Sequence, residues 1–258
     1  MGWSLEIAAK TDVGRVRHKN EDSHGFDARC GIYAVSDGMG GQPAGEVASS
    51  TAIDSVLTYF RESERQGRHP HIGNPIEGIS VRAQSLASAI ALANTVVYQA
   101  GTQNPRQEGM AATLVAVLVG EDGFYSIGHV GDSRIYLVRD ANIEQLPNDH
   151  SLVMEQLRRG LITVEESKTS RAQHVVMRSV GAEESVQADL DDLLAKPGDV
   201  LVLCTDGLTH EVSDRRICKV VTNSPDLQTA CNELMEDALQ AGGGDNITIM
   251  LLKFVCNQ

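Results

Sequence analysis

Gly31-Ile-Tyr-Ala-Val-Ser-Asp-Gly-Met-Gly-Gly41 is an apolar run that breaks off in an acidic, glycine-rich turn. Ile, Tyr and Val favour a pleated, buried strand, and glycines permit a tight reversal directly after it. The strand therefore delivers Asp37 to a sheet edge. The same construction recurs downstream, where Val200-Leu-Val-Leu-Cys-Thr205 runs into Asp206-Gly207. Asn20-Glu21-Asp22 near the start and Gly244-Asp245-Asn246 near the end complete a set of four acidic sites. A lone Asp-Gly is most often just a turn, but four such sites can converge at one edge of a sheet.

Periodicity organises the rest of the chain. Trp3, Leu5, Ile7 and Ala9 alternate with more polar residues, the period of a half-buried strand. From Ala44 to about Arg61 apolar positions recur at helical spacing, with Val47, Ala48, Thr51, Ala52, Ser55, Val56 and Tyr59 on one face. Residues 62–77 carry Gly, Pro and His without periodicity, which predicts a surface connection into a second helix over 79–100. His69 and His71 in that connection read as solvated. Segments 112–119, 123–130 and 134–139 predict three short strands in an antiparallel meander. A short helix and a basic, irregular stretch follow over 152–171, and 170–181 returns towards the core. Helices over 214–221 and 226–240 separate the strand at 200–205 from a last strand, Ile247–Val255. Strands thus lie between two groups of helices, without regular alternation or repeats, which favours an α+β sandwich over a doubly wound parallel sheet.

With 258 residues, 41% of them hydrophobic and 22% charged, one domain with a sizeable core is expected. No apolar run approaches the roughly 20 residues that cross a bilayer, and MGWSLEIAAK lacks a basic region followed by an apolar stretch, so a cytoplasmic protein without membrane attachment is expected. The five cysteines are odd in number and widely spaced, with no CxxC pair, so neither a disulfide framework nor a zinc site is indicated. A net charge of −13 argues against nucleic-acid binding, which relies on Lys and Arg.

Gathering several carboxylates in one partly desolvated place is costly, because like charges repel. A hard divalent cation removes that cost. Mg²⁺ and Mn²⁺ favour oxygen ligands, and a set of four Asp without His or Cys points away from zinc. Bound cations would also reverse the local sign, letting so acidic a chain accept an anionic substrate.

The ordered motifs resemble the PPM family, the metal-dependent protein phosphatases of type 2C, in its compact bacterial form. The resemblance runs from Thr11-Asp-Val-Gly-Arg-Val-Arg-His-Lys-Asn-Glu-Asp22 through Ser36-Asp-Gly-Met-Gly-Gly41, Gly45-Glu-Val-Ala-Ser49 and Gly109-Met-Ala-Ala-Thr113. It continues through Gly128-His-Val-Gly-Asp-Ser-Arg-Ile-Tyr136, Asp149-His-Ser-Leu-Val153, Arg178-Ser-Val-Gly181, Cys204-Thr-Asp-Gly-Leu208 and Gly244-Asp-Asn-Ile-Thr248.

That resemblance implies a four-layer αββα sandwich, two antiparallel sheets flanked by helices, forming one domain over 1–258 with a flap at about 152–180. It implies hydrolysis of phosphoserine and phosphothreonine in proteins by direct attack of a metal-bridging water or hydroxide, opposing a bacterial Ser/Thr kinase. Asp22, Asp37, Asp206 and Asp245 would hold two Mn²⁺ or Mg²⁺ ions, with Asp37 bridging and the Gly38 carbonyl as a further ligand. Glu21 would order metal-bound water, and Asp132 would share a third ion with Asp206. Arg17 would grip the substrate phosphate, as planar guanidinium donors suit. The departing alkoxide needs a proton, and its donor is open. Bacterial members often carry His where Gln42 stands and animal members where Met39 stands, and neither residue is an acid near pH 7. His150, which also reads as a buried structural residue, and a water on the third ion are the candidates. In the flap, Arg158, Arg159, Lys168 and Arg171 could meet acidic substrate or form a solvated face. A monomer acting on phosphorylated proteins is expected.

Two other readings stand beside this one. A phosphoprotein-binding module that lost catalysis would lack metal carboxylates, and all four are present. An unrelated hydrolase of small phosphate esters would prefer sugar phosphates to phosphopeptides. A dinucleotide site at Gly38–Gly45 fails, since the stretch does not match GxGxxG and Pro43 interrupts it.

Overall fold

Alternation along each strand decides the layering. In the computed structural model, which describes residues 2–39, 44–74, 76–167, 170, 172 and 175–257, the chain opens with β1 (Gly2–Asp12), β2 (Asp22–Asp27) and β3 (Ile32–Met39). Two long helices, α1 (Ala44–Gln66) and α2 (Val81–Gln103), precede β4 (Ala111–Ala112), β5 (Leu114–Val119), β6 (Phe124–Val130), β7 (Arg134–Arg139) and β8 (Asn142–Gln145). After α3 (Leu152–Arg158) and α4 (Val164–Ser167) come β9 (Asp189–Leu194) and β10 (Val200–Cys204). The helices α5 (Asp206–Thr209), α6 (Asp214–Asn223) and α7 (Leu227–Ala241) lead to β11 (Ile247–Asn257).

Among the described residues the strands form two antiparallel sheets, one ordered β1-β11-β10-β7-β8 and the other β2-β3-β5-β6-β9, with β4 added to β3. In β3, Ile32 and Ala34 pack with α1 and α2, while Tyr33 and Val35 face the opposite sheet. In β10, Leu201 and Leu203 fill the layer between the sheets, while Val200, Val202 and Cys204 face α6 and α7. Such strands are buried on both faces, which is why they read as continuous apolar runs. The architecture is the αββα sandwich of the sequence analysis.

Three local expectations change. The meander holds for β5 and β6, but β7 leaves that sheet and pairs with β10 and β8 in the other, so the Gly131–Ser133 turn crosses between sheets. The buried face of α1 is set by Ala48, Ala52, Ile53, Val56 and Phe60, with Val47, Thr51 and Ser55 only half-buried. That helix also runs to Gln66, into the predicted connection, where the i,i+3 pair Glu62–Arg65 supports it. All five cysteines are free thiols, with Cys204, Cys218 and Cys231 buried and Cys30 and Cys256 half-buried. No helix among the described residues is long and apolar enough to cross a membrane.

Candidate active site

The register of β2 against β3 sets Asp22 directly opposite Asp37. Asp22 is buried, and its Oδ2 accepts hydrogen bonds from Thr205 Oγ1 at 2.9 Å and Thr248 Oγ1 at 2.7 Å. Thr205 immediately precedes Asp206, and Thr248 follows Asp245 by three residues. These two bonds therefore draw the ends of β10 and β11 in one sheet onto the β2 edge of the other. A Cβ on Gly207 would lie 2.0 Å from the Asn246 carbonyl oxygen, so the two acidic turns approach as closely as glycine allows.

Further bonds fix the remaining members. Asn246 Oδ1 accepts the Glu21 N–H at 2.8 Å, and its Nδ2 donates to the carbonyls of Val13 and Lys19. The Gly38 N–H donates to the Glu21 carbonyl at 3.1 Å. The Asp37 N–H donates to Thr113 Oγ1 at 2.9 Å, and that hydroxyl lies 2.6 Å from Ser133 Oγ, tying the turn that carries Asp132 to the end of β3. Arg17 Nη2 donates to Asp245 Oδ2 at 2.7 Å; its side chain is 54% exposed, so it stands at the rim.

The electrostatics of this cluster are unfavourable as it stands. Burial, then the charges of Asp206 and Asp245, push Asp22 up to about 7 against the pull of its two threonine donors. Burial and Asp206 raise Asp132 to about 7. Asp37 is driven well above the carboxylate range by burial, then by Asp22, Asp206, Asp132 and Asp245. Buried Asp22 Oδ1 accepts no hydrogen bond among the described residues. The hydrogen bond to Asp245 holds Arg17 firmly charged. Buried oxygen donors, surplus negative charge and an unused carboxylate oxygen suit one or more hard divalent cations. Asp206, in the single turn α5, is also 3.5 Å from His210 Nδ1.

His150 stands beside this set rather than in it. Its Nδ1 accepts the Gly131 N–H at 3.1 Å, and its Nε2 lies 3.1 Å from Asp189 Oδ2. Action as a proton donor would require it to give up Asp189. Next to it a cavity of about 540 Å³ is lined by Asp149, His150, Met154, Arg158, Met177 and Arg178, and by none of the clustered carboxylates. Arg158 and Arg159 both pair with Glu155, so these two flap cations are already engaged. Met39 ends β3; Gly40, Gly41, Gln42, Lys168 and Arg171 lie outside the described residues.

Sequence reasoning passed over the neutral residues that assemble the site: Thr113, Thr205, Asn246 and Thr248. Their signal was present, since Thr205 and Thr248 flank the Asp206 and Asp245 motifs. It passed over Asp189 as well, which sits in an acidic strand without apolar alternation.

Over residues 15–242 the chain matches the family model described as protein phosphatase 2C. Protein phosphatase PhpP of Streptococcus pneumoniae is 32% identical over 253 residues, covering 96% of this chain and 97% of that protein. Serine/threonine protein phosphatase PstP of Mycobacterium tuberculosis is 34% identical over 251 residues, covering 97% of this chain but 45% of that protein. A crystal structure of the PstP catalytic domain in complex with two manganese ions superposes with a TM-score of 0.83 at 32% identity, covering 98% of this chain and all of that one. With a family match that spans most of its length, the chain belongs to the protein phosphatase 2C family.

Proposed function

We propose that the chain hydrolyses phosphoserine and phosphothreonine monoesters in proteins, with Mn²⁺ or Mg²⁺ held by Asp22, Asp37, the Gly38 carbonyl, Asp206 and Asp245. The observation that carries this reading is the buried carboxylate cluster, in which Asp22, Asp37 and Asp132 are all pushed above the carboxylate range by burial and then by neighbouring carboxylates, Asp206 acting on all three. The manganese-bound PstP catalytic domain supports it. When bound, a pair of such ions supplies a hydroxide nucleophile near neutral pH and offsets charge on the phosphoryl oxygens.

The chain's own residues do the rest. Asp37, which feels all of Asp22, Asp206, Asp132 and Asp245, would be the ligand shared between the ions. Asp206 raises Asp132, and the two would hold a third, weaker ion. Glu21, its backbone fixed by Asn246, Ser49 and Gly38, orders water at the cluster. Arg17 uses one nitrogen on Asp245, and its remaining donors orient the substrate phosphate. His150 anchors a turn, and the proton for the departing alkoxide comes from water. The chain works as one domain over 1–258 with residues 152–180 as a flap, as a cytoplasmic monomer opposing a Ser/Thr kinase.

The test is hydrolysis of a phosphothreonine peptide and of a sugar phosphate by metal-stripped protein, with and without Mn²⁺, against Asp206→Asn. Peptide hydrolysis that requires Mn²⁺ and is lost in Asp206→Asn is expected. Peptide binding without turnover would favour the binding-module reading, and preference for the sugar phosphate the small-ester reading. His150→Gln should keep the acid limb of the parental pH–rate profile; loss of that limb would make His150 the donor.

A further inference from the structure

We propose that His150 is a positioning residue, a latch that couples the segment over 152–180 to the turn carrying Asp132. The turn, Gly131 to Ser133, joins β6 to β7, which begins at Arg134. Gly131 adopts φ 111°, and both of its backbone groups are taken by His150: the His150 N–H donates to the Gly131 carbonyl at 2.7 Å, and the Gly131 N–H donates to His150 Nδ1 at 3.1 Å. At the other end of the turn Arg134 grips Asp149 through Nε at 3.0 Å and Nη2 at 2.7 Å. Asp149 and His150 thus hold both ends of the turn, with Asp132 between them.

Acceptance at Nδ1 fixes the neutral imidazole with its proton on Nε2. That N–H meets Asp189 Oδ2 at 3.1 Å; Arg178 Nη1, a donor only, lies 3.2 Å from the same ring nitrogen without bonding to it and donates instead to Asp189 Oδ1 at 2.9 Å. Asp189 lies opposite His129 in the β6–β9 register, and the His129 ring packs on His150 with centroids 4.5 Å apart. His129, His150 and Asp189 are close enough to share a cation. A cation on His150 Nε2, however, would move the proton to Nδ1, where the Gly131 N–H already points. The cluster is therefore a hydrogen-bonded latch. The flap is tied to the same residue through its backbone: the Met177 N–H donates to the His150 carbonyl at 2.7 Å, beside the Leu152 N–H to Val175 carbonyl bond at 2.8 Å. Loosening Asp189 or Arg178 frees the imidazole, and with it the Gly131 N–H.

The effect on Asp132 as a cation ligand rests on the function proposed above; the coupling itself does not. Residue-resolved hydrogen exchange therefore comes first, with Mn²⁺ activation of phosphothreonine-peptide hydrolysis as the second readout. Asp189→Ala, which touches neither Gly131 nor the carboxylate set, should speed exchange at Gly131, Leu152 and Met177 by about fivefold or more, leaving core amides of β5 and β10 unchanged. It should also raise the Mn²⁺ concentration for half-activation by about tenfold, with a smaller change in kcat at saturating metal. His150→Asn places an amide oxygen near the Nδ1 position and should keep Gly131 protected while Leu152 and Met177 loosen; His150→Ala should loosen all three. Parental exchange at Gly131 in both Asp189→Ala and His150→Ala would overturn the latch, as would a uniform rise at every amide. If the parent proves inactive with Mn²⁺, the proposed function fails while the exchange data still decide the coupling.

Discussion

Two polar clusters, one buried and one partly exposed, lie side by side in this molecule, and they are neutralised in opposite ways. Around Asp149 and Asp189 every acid has a protein partner: Arg134 and Gln145 hold Asp149, while Arg178 and His150 hold Asp189. Burial alone would raise Asp189, yet those partners keep it below the usual carboxylate range. Around Asp22, Asp37 and Asp132 the acids have mainly hydroxyls, backbone groups and one another. The first arrangement serves structure. The second withholds compensation from a place where like charges cost stability, which is what a cation site requires before its ions arrive.

The comparison breaks most visibly under substitution. Asp37→Asn should lower kcat for the phosphothreonine peptide by on the order of 10³-fold, yet raise the melting temperature of the metal-free protein, because it removes repulsion. A lower metal-free melting temperature in this variant would place Asp37 with the compensated cluster. Arg134→Met should do the reverse, with a loss of about 3 kcal/mol in urea unfolding, since it strands Asp149 as a buried, unpaired charge. Arg17→Ala, at the rim between the cluster and solvent, should raise KM by roughly 10- to 100-fold, the worth of a charge-assisted contact. An unchanged KM would exclude Arg17 from phosphate binding.

The clusters also answer pH with opposite sign. Asp22 and Asp132 stand at about 7 in the native state, against about 4 when unfolded. The native state therefore binds the extra protons, and metal-free stability falls as pH rises from about 4 through about 7. His129 is held down to about 4 by burial and the neighbouring His150, against about 6.5 unfolded, so its contribution rises with pH across that lower window. His24 and His150 are also held down by burial, so the histidine contribution to the slope fades only well above pH 6.5, where the carboxylates dominate. Between pH 6.5 and 8 the melting temperature in EDTA should fall, by up to about 1 kcal/mol per pH unit in stability, and Mn²⁺ should abolish the slope. A flat EDTA profile would mean that the acids are not strained.

Much of the site was legible in the sequence, and the reason is physical. Asp37 and Asp206 each follow an apolar run and precede a glycine, a pattern that buries the strand and brings the acid to its end, although Asp37 and Gly38 are still within β3 and Asp206 opens α5. The two central strand runs and both long helices were equally plain, because one-sided or two-sided burial leaves strong periodicity. Among the edge strands of the described residues, β1 was legible from its alternating apolar face, and the other three were not. The edges β2, β8 and β9 are polar or acidic, as edges that must resist pairing with other chains tend to be, and they carried no apolar signal. The crossing of β7 to the second sheet was hidden too, since a three-residue turn reads the same whether it closes a hairpin or changes sheets. The latch at His150 depends on Asp189, nearly forty residues away and in one of those silent edges.

The central claim is that strained carboxylates are the chain's provision for divalent cations. Calorimetric titration of metal-stripped protein with Mn²⁺, repeated in buffers of different ionisation enthalpy at pH 6.5 and pH 8, tests it most directly. Saturable binding is predicted, with proton release that is larger at pH 6.5 than at pH 8 and diminished in Asp22→Asn, because raised carboxyls must shed protons to bind metal. Binding without proton release at pH 6.5, or no saturable binding at all, would contradict it.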